Sequence, residues 1–193
     1  MILEQGNIYH IYNQGNNRQK IFFNRENYLF FLKKLSKHIL PYADVLAWCL
    51  MPNHFHLMVA LSDRVNLSSS HPVTINNSIA IMLRSYTRAI NIQQARTGSL
   101  FREGTKAVWL GSIEGEKMKS QNRNALGTEV AQNLDEEQLK TCFRYIHENP
   151  VKTGLAYQII DWEFSSAIEI AGIRKGLLVN KKLINELGLC LEK

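Results

Sequence analysis

Residues 42–61 read Y-A-D-V-L-A-W-C-L-M-P-N-H-F-H-L-M-V-A-L, and this stretch decides the fold. Tyr42 to Leu50 is an apolar run of strand-forming residues. Met51-Pro52-Asn53 is a tight turn, because proline presets the turn backbone and asparagine tolerates unusual dihedrals. From His54 to Leu61 the chain alternates and returns as a second strand. The stretch is therefore a β-hairpin, and the chain on either side of it repeats one theme. Before it, Asn7 to Gln14 (N-I-Y-H-I-Y-N-Q) is a strand closed by the turn signal Gly15-Asn16-Asn17. Asn24 then caps a helix over about 25–40, with Glu26 in its first turn. Tyr28, Phe31, Leu32, Leu35 and Ile39 fall on one side of that helix, Lys33, Lys34 and Lys37 lie between them, and Pro41 ends it.

After the hairpin, Ser62 to Pro72 is a polar, serine-rich loop. Thr74 to about Ala95 is a second amphipathic helix whose stripe is Ile75, Ile79, Met82, Leu83, Tyr86 and Ile90. Thr97-Gly98-Ser99 stops it, and a short strand follows around Lys106–Leu110. The order strand, helix, strand, strand, helix, strand predicts an α+β fold of the ferredoxin-like βαββαβ kind, an antiparallel sheet with its helices on one face. Residues 111–133 hold no aromatic residue and few large apolar ones, and read as an insertion. An extra helix begins at Asn133 or Asp135 and is predicted to run to about Glu148, since Pro150 disfavours helical geometry at Asn149. A tail over 156–193 carries short helices at Ser165–Ile173 and Asn180–Leu187. The whole chain, 1–193, is read as one domain, with its core in 5–110 and 134–155.

Composition narrows the function classes. Of 193 residues, 45% are apolar and 21% charged, enough for a sizeable core. No stretch approaches the ~18 apolar residues of a membrane helix, and the first residues lack a signal-peptide pattern. A cytoplasmic location and no membrane partner are therefore expected. Cys49, Cys142 and Cys190 are too few and too scattered for a disulfide framework or a zinc ribbon, and are expected to be reduced thiols, some of them in the core. The net charge of +6 is uneven: residues 1–110 carry 12 Lys/Arg against 5 Asp/Glu, whereas 111–140 carry 4 against 6. A basic first half suits an anionic partner such as nucleic acid, or simply a solvated lysine surface.

Two places are able to carry chemistry. His54 and His56 stand at i and i+2 of a strand, on one face and roughly 6.6–6.8 Å apart at Cα, so two imidazoles can grip one metal ion while Phe55 enters the core. The alternative is a pair of hydrogen-bonded surface histidines. Tyr145 lies off the apolar stripe Leu139, Cys142, Phe143 and Ile146 of its helix. Asn149 follows one turn later, about 40° round, where its amide oxygen suits a hard divalent cation. The alternative there is a half-exposed packing residue.

Five blocks of sequence bring these places together. N-I-Y-H-I-Y-N-Q-G-N-N-R (7–18), L-M-P-N-H-F-H-L-M-V (50–59), T-G-S-L-F-R (97–102), R-Y-I-H-E-N-P-V-K-T-G-L (144–155) and D-W-E-F-S-S (161–166), in this order, resemble the REP-associated tyrosine transposases. These are relatives of the single-tyrosine, IS200-like transposases of the HUH endonuclease class. The resemblance covers about 5–110 and 134–168. It implies that His54, His56 and Asn149 hold Mg²⁺ or Mn²⁺ and that Tyr145 is the nucleophile of a DNA nicking and rejoining reaction through a 5′-phosphotyrosine link. It implies single-stranded or hairpin DNA as the partner, a nucleoid-associated location, and either a monomer or a homodimer. Arg18, Lys20, Arg84, Arg88, Arg96, Arg102 and Lys106 then become candidates for phosphate contact, and Tyr9, Tyr12 or Phe101 for base stacking. His147, roughly 200° round the helix from Tyr145, is read as structural. Two departures stand out: the long 111–133 segment, and Gln14 where the family places arginine.

Rival readings are a catalytically silent, domesticated DNA-binding protein of the same fold, a histidine-triad hydrolase and an RNA-binding ferredoxin-like domain. Met58 stands where the hydrolase needs its third histidine. The aromatic strand motif of the RNA-binding domain is missing.

Overall fold

The helices begin where short polar side chains satisfy their first amides. In a computed structural model describing residues 3–62, 74–114 and 129–191 (without the side chains of 129–135), α1 spans Arg25–His38 and α2 spans Ile75–Gln93. Asn24 Oδ1 accepts from the Asn27 amide at 3.1 Å and Thr74 Oγ1 from the Asn77 amide at 3.3 Å. The strands are β1 (Asn7–Gln14), β2 (Ala43–Met51), β3 (His54–Leu61) and β4 (Lys106–Ser112). All neighbours pair antiparallel, in the order β2-β3-β1-β4. This is the βαββαβ arrangement read from the sequence.

Helices α1 and α2 share one face of the sheet, as read, and the extra helix, which the sequence reading left unplaced, covers the other. Tyr9 and Ile11 of β1 and Phe55, Leu57 and Val59 of β3 point towards α1 and α2, where they meet Phe31, Leu35, Met82 and Tyr86. On the other face, Ile8, Met58 and Ala60 meet Leu139, Phe143 and Ile146 of α3 (Glu129–Lys152). They also meet Leu183 and Ile184 of a short C-terminal helix (Lys181–Glu186, α5 after α4 at Ala167–Ile170). Burial on both faces explains the nearly unbroken apolar run of β2 and overrules the alternation read for β3, where every residue after His54 is buried.

A bulge lets β2 serve both layers. Val45 pairs with Val59 and Ala47 with Met58, so Leu46 has no opposite number. Before it, Ala43 and Val45 face α1 and α2; after it, Trp48 and Leu50 do. The outer edge of β2 is closed by the tail: the Leu50 amide donates to Phe164 O and the Ser166 amide to Trp48 O, both at 2.9 Å.

Helix α3 departs from expectation at both ends. Its backbone is helical from Glu129, inside the segment read as an insertion, and it continues through Pro150 to Lys152. Proline lacks the amide that would bond back one turn, yet a single missing bond this close to a helix end is tolerated. Gly154, at φ 71°, then turns the chain, and the Leu155 amide donates to Pro150 O at 2.9 Å. Most of the 111–133 insertion and of the 62–72 loop lies outside the described residues.

Candidate active site

The turn that presents the histidines is clamped from below. Pro52 O accepts from the Ile21 amide at 2.8 Å and the Phe22 amide at 3.1 Å, and Asn53 O accepts from the Gly15 amide at 2.8 Å. Glycine is required at 15, since a Cβ there would lie 2.2 Å from Gln19 O. Arg18 adopts a left-handed backbone (φ 58°), and its carbonyl accepts from Asn53 Nδ2 at 3.3 Å. That bond turns Asn53 Oδ1 towards His54 Nδ1, 2.6 Å away.

The proton positions follow. Burial lowers the pKa of His54, and Asn149 offsets this in part, so the ring is neutral. With Nδ1–H donated to Asn53, His54 Nε2 carries a lone pair. Facing it at 3.3 Å is Asn149 Oδ1, whose own Nδ2 is directed at Tyr145 O, 3.4 Å away. Two acceptors are thus set lone pair to lone pair, a spacing that two ligands about 2.1 Å from one ion would span.

His56 stands beside them, buried, with its Nδ1 2.9 Å from His10 Nε2. Its own Nε2 is buried with no hydrogen-bond partner among the described residues. Burial pushes the pKa of His56 down to about 2, helped by His10 and His54, and that of His10 to about 4. Both rings are therefore neutral, the form in which imidazole ligates a metal. Among the described residues no three His, Cys, Asp or Glu side chains gather to hold a metal ion. The donor set is instead two imidazoles and one amide. An orphaned buried nitrogen beside two opposed acceptors fits a divalent cation.

Tyr145 borders the same place. Leu139, Phe143 and Ile146 bury one side of α3, which leaves Tyr145 41% exposed on the other. Its ring meets His56 edge-on at 5.4 Å and His10 at 6.2 Å between centroids. The Lys152 ammonium lies 5.8 Å from the ring centroid and pairs with Glu148 at 2.7 Å. Tyr12, Gln14, His54, His56, Arg102, Lys106 and Tyr145 line one cleft of about 440 Å³.

The basic candidates divide. Arg84, Arg88, Arg96 and Arg102 line a groove of about 690 Å³ between α2 and the approach to β4. It adjoins the cleft, sharing Asn13, Arg102 and Gly104 as walls. Asn13 Nδ2 holds that shared loop by donating to Arg102 O at 3.2 Å and Thr105 Oγ1 at 3.0 Å. Lys106 belongs to the cleft, whereas Arg18 and Lys20 line neither. Of the stacking candidates only Tyr12 reaches the cleft. Tyr9 is buried against α1 and α2, whereas Phe101, though mostly buried, lines the arginine groove.

His147 is structural, as read: buried, it lies 2.8 Å from both Phe143 O and Ser166 Oγ and ties α3 to the tail. The sequence reading missed His10. Its signal was in the strand pattern, two residues before Tyr12 on the same face, and it needed the β1–β3 register to be recognised.

No protein-family model and no curated protein matches the chain. Among solved structures, a REP-associated tyrosine transposase bound to a REP hairpin aligns with a TM-score of 0.56. The alignment covers 93% of this chain and 92% of that one, at 16% identity. The two share a fold. Likeness at that identity concerns the backbone; the chemistry rests on the side chains described above. Among the described residues no helix is long and apolar enough to cross a membrane.

Proposed function

We propose that this protein belongs with the REP-associated tyrosine transposases. On this reading it is a metal-dependent endonuclease and strand transferase of the HUH type, acting on single-stranded DNA at hairpin-forming repeats. The observation that carries this is His54 Nε2 facing Asn149 Oδ1 at 3.3 Å, with the His56 ring 5.0 Å from that of His54 and 5.4 Å from that of Tyr145 between centroids, and His56 Nε2 unpartnered among the described residues. Bound Mg²⁺ or Mn²⁺ would polarise the scissile phosphate and offset the charge that builds on its oxygens.

The residues of the chain supply the rest. Tyr145 Oη attacks phosphorus, the P–O3′ bond breaks, and the 5′ end is left as a phosphotyrosine ester. The phenol gives up its proton, and the departing O3′ takes one up to become a hydroxyl. Attack by a 3′-hydroxyl reverses the exchange and frees Tyr145 without ATP, because the ester stores the bond. Arg102 and Lys106 at the cleft mouth, with Arg84, Arg88 and Arg96 along the groove, neutralise the backbone of the strand. Tyr12 offers a face for a base. The likeness to a transposase seen with a REP hairpin supports DNA as the partner.

The test is a denaturing gel. Wild type and Tyr145→Phe are incubated with Mn²⁺ and a labelled hairpin oligonucleotide from the DNA flanking the gene. A denaturation-resistant adduct in wild type alone is expected. The arginine groove favours a second reading, a silent DNA-binding protein, since it would hold a strand without any chemistry. DNA bound in a native shift assay, with no adduct from wild type, would select that reading.

A further inference from the structure

The reading of the cleft as a metal site leaves one buried group unused. His10 lies on β1, diagonal to His56 across the β1–β3 ladder, where Tyr12 is the direct partner of His56 and Met58 that of His10. It is buried, stacked on Tyr12 at 4.9 Å between centroids with 29° between planes, and its Nε2 is 2.9 Å from His56 Nδ1. This ring is packed in one orientation and aimed at the nitrogen of His56 that faces away from the cleft. Resting on the metal-site reading, we infer that His10 is a positioning residue: it fixes His56 in the one tautomer able to ligate a cation.

Two ring nitrogens 2.9 Å apart share one proton, and there are two ways to place it. In one, His10 donates from Nε2 to His56 Nδ1. The proton of His56 then sits on Nε2, a buried N–H with no acceptor among the described residues, which is the rarer and costlier kind of orphan. It also closes that nitrogen to a metal. In the other, His56 Nδ1–H donates to His10 Nε2, and His56 Nε2 keeps a lone pair free for a cation. The second arrangement is the one the site uses. Asn53 does the same for His54 at 2.6 Å, so each ligand histidine has its Nδ1 held by a neighbour, one from the hairpin turn and one from β1.

The side chain at 10 must therefore present an acceptor at the place of Nε2. Gln reaches that place with Oε1; Phe fills the space and offers nothing. The experiment uses the full chain without DNA, as wild type, His10→Phe and His10→Gln. Long-range ¹H–¹⁵N correlation of the imidazoles reads the His56 tautomer without metal, and electron paramagnetic resonance of free Mn²⁺ reads affinity. The expected result is His56 protonated on Nδ1 in wild type and in His10→Gln. Mn²⁺ affinity should be about 10–100-fold weaker in His10→Phe and within about threefold of wild type in His10→Gln. The inference is overturned if wild-type His56 carries its proton on Nε2, or if folded His10→Phe binds Mn²⁺ as wild type does. An Nδ1–H tautomer in a wild type that takes up no Mn²⁺ would uphold the role of His10 towards His56 while sinking the metal reading, so the two failures are told apart.

Discussion

Replacing Asn149 with Leu should make the metal-free protein more stable and the metal-loaded protein less so. Asn149 is buried, its Oδ1 faces the lone pair of His54 Nε2 at 3.3 Å, and its Nδ2 reaches only Tyr145 O at 3.4 Å, a long and weak bond. A buried acceptor without a donor costs about 1–3 kcal/mol. Leucine has the same branched shape, removes that acceptor, and lies next to the apolar side of α3. Taking the lower figure of about 1 kcal/mol, Tm should rise by roughly 2–4 °C for a chain of this length. Wild type at 100 times the Kd for Mn²⁺ gains about 2.7 kcal/mol, roughly 5–10 °C, whereas the variant, short of one donor, keeps little of it. The order of the two proteins should therefore cross between EDTA and Mn²⁺. Thermal unfolding followed by circular dichroism reads both arms. A variant less stable than wild type in EDTA would refute the claim that the two acceptors oppose each other at a cost. Equal Mn²⁺ shifts would refute Asn149 as a ligand.

Three further outcomes are expected. Phe143→Ala, at a fully buried contact of α3 with the sheet, should lose about 3–5 kcal/mol in urea unfolding, a large share of a domain's total. The double variant Arg84→Gln/Arg88→Gln should weaken binding of single-stranded oligonucleotides of any sequence alike, and reduce the slope of log K against log salt by about 1.4. Glu169 is buried against Arg174 at 3.2 Å, and burial raises its pKa above 4.5, so the fold holds its proton more tightly than the unfolded chain does. Its stabilising share is present below 4.5 and lost as the pH rises through the folded value. Wild type should therefore fall relative to Glu169→Gln as unfolding is repeated from pH 4.5 towards neutrality.

The strands were legible because their signals are local. Asn7–Gln14 and His54–Leu61 appear at their observed bounds, set by the Gly15 turn on one side and the Pro52-Asn53 turn on the other. The second covered face was also written in the sequence, in the continuous apolar runs 45–51 and 57–61, which a strand with one wet face would lack. The extra helix stayed unplaced because the six-element order accounts for one face of the sheet alone. Pro150 misled because its cost depends on how many helical residues follow, and here only two do. Tyr145, Asn149 and the two histidines are separable in sequence and meet only when α3 docks. His10 stayed hidden for the same reason: its partner is 46 residues away, and only strand register joins them.

The bulge at Leu46 means that β2 is written in two reading frames. Residues 43–45 follow one parity of inside and outside, and residues 47–51 the other. A chimera that grafts in a regular strand of equal length will be in frame with one half and out of frame with the other, sending either Val45 or Trp48 to the wrong layer. Shortening the graft by one residue restores both. Crossover points in this protein should therefore be chosen by strand parity on each side of Leu46, and length alone is a misleading guide.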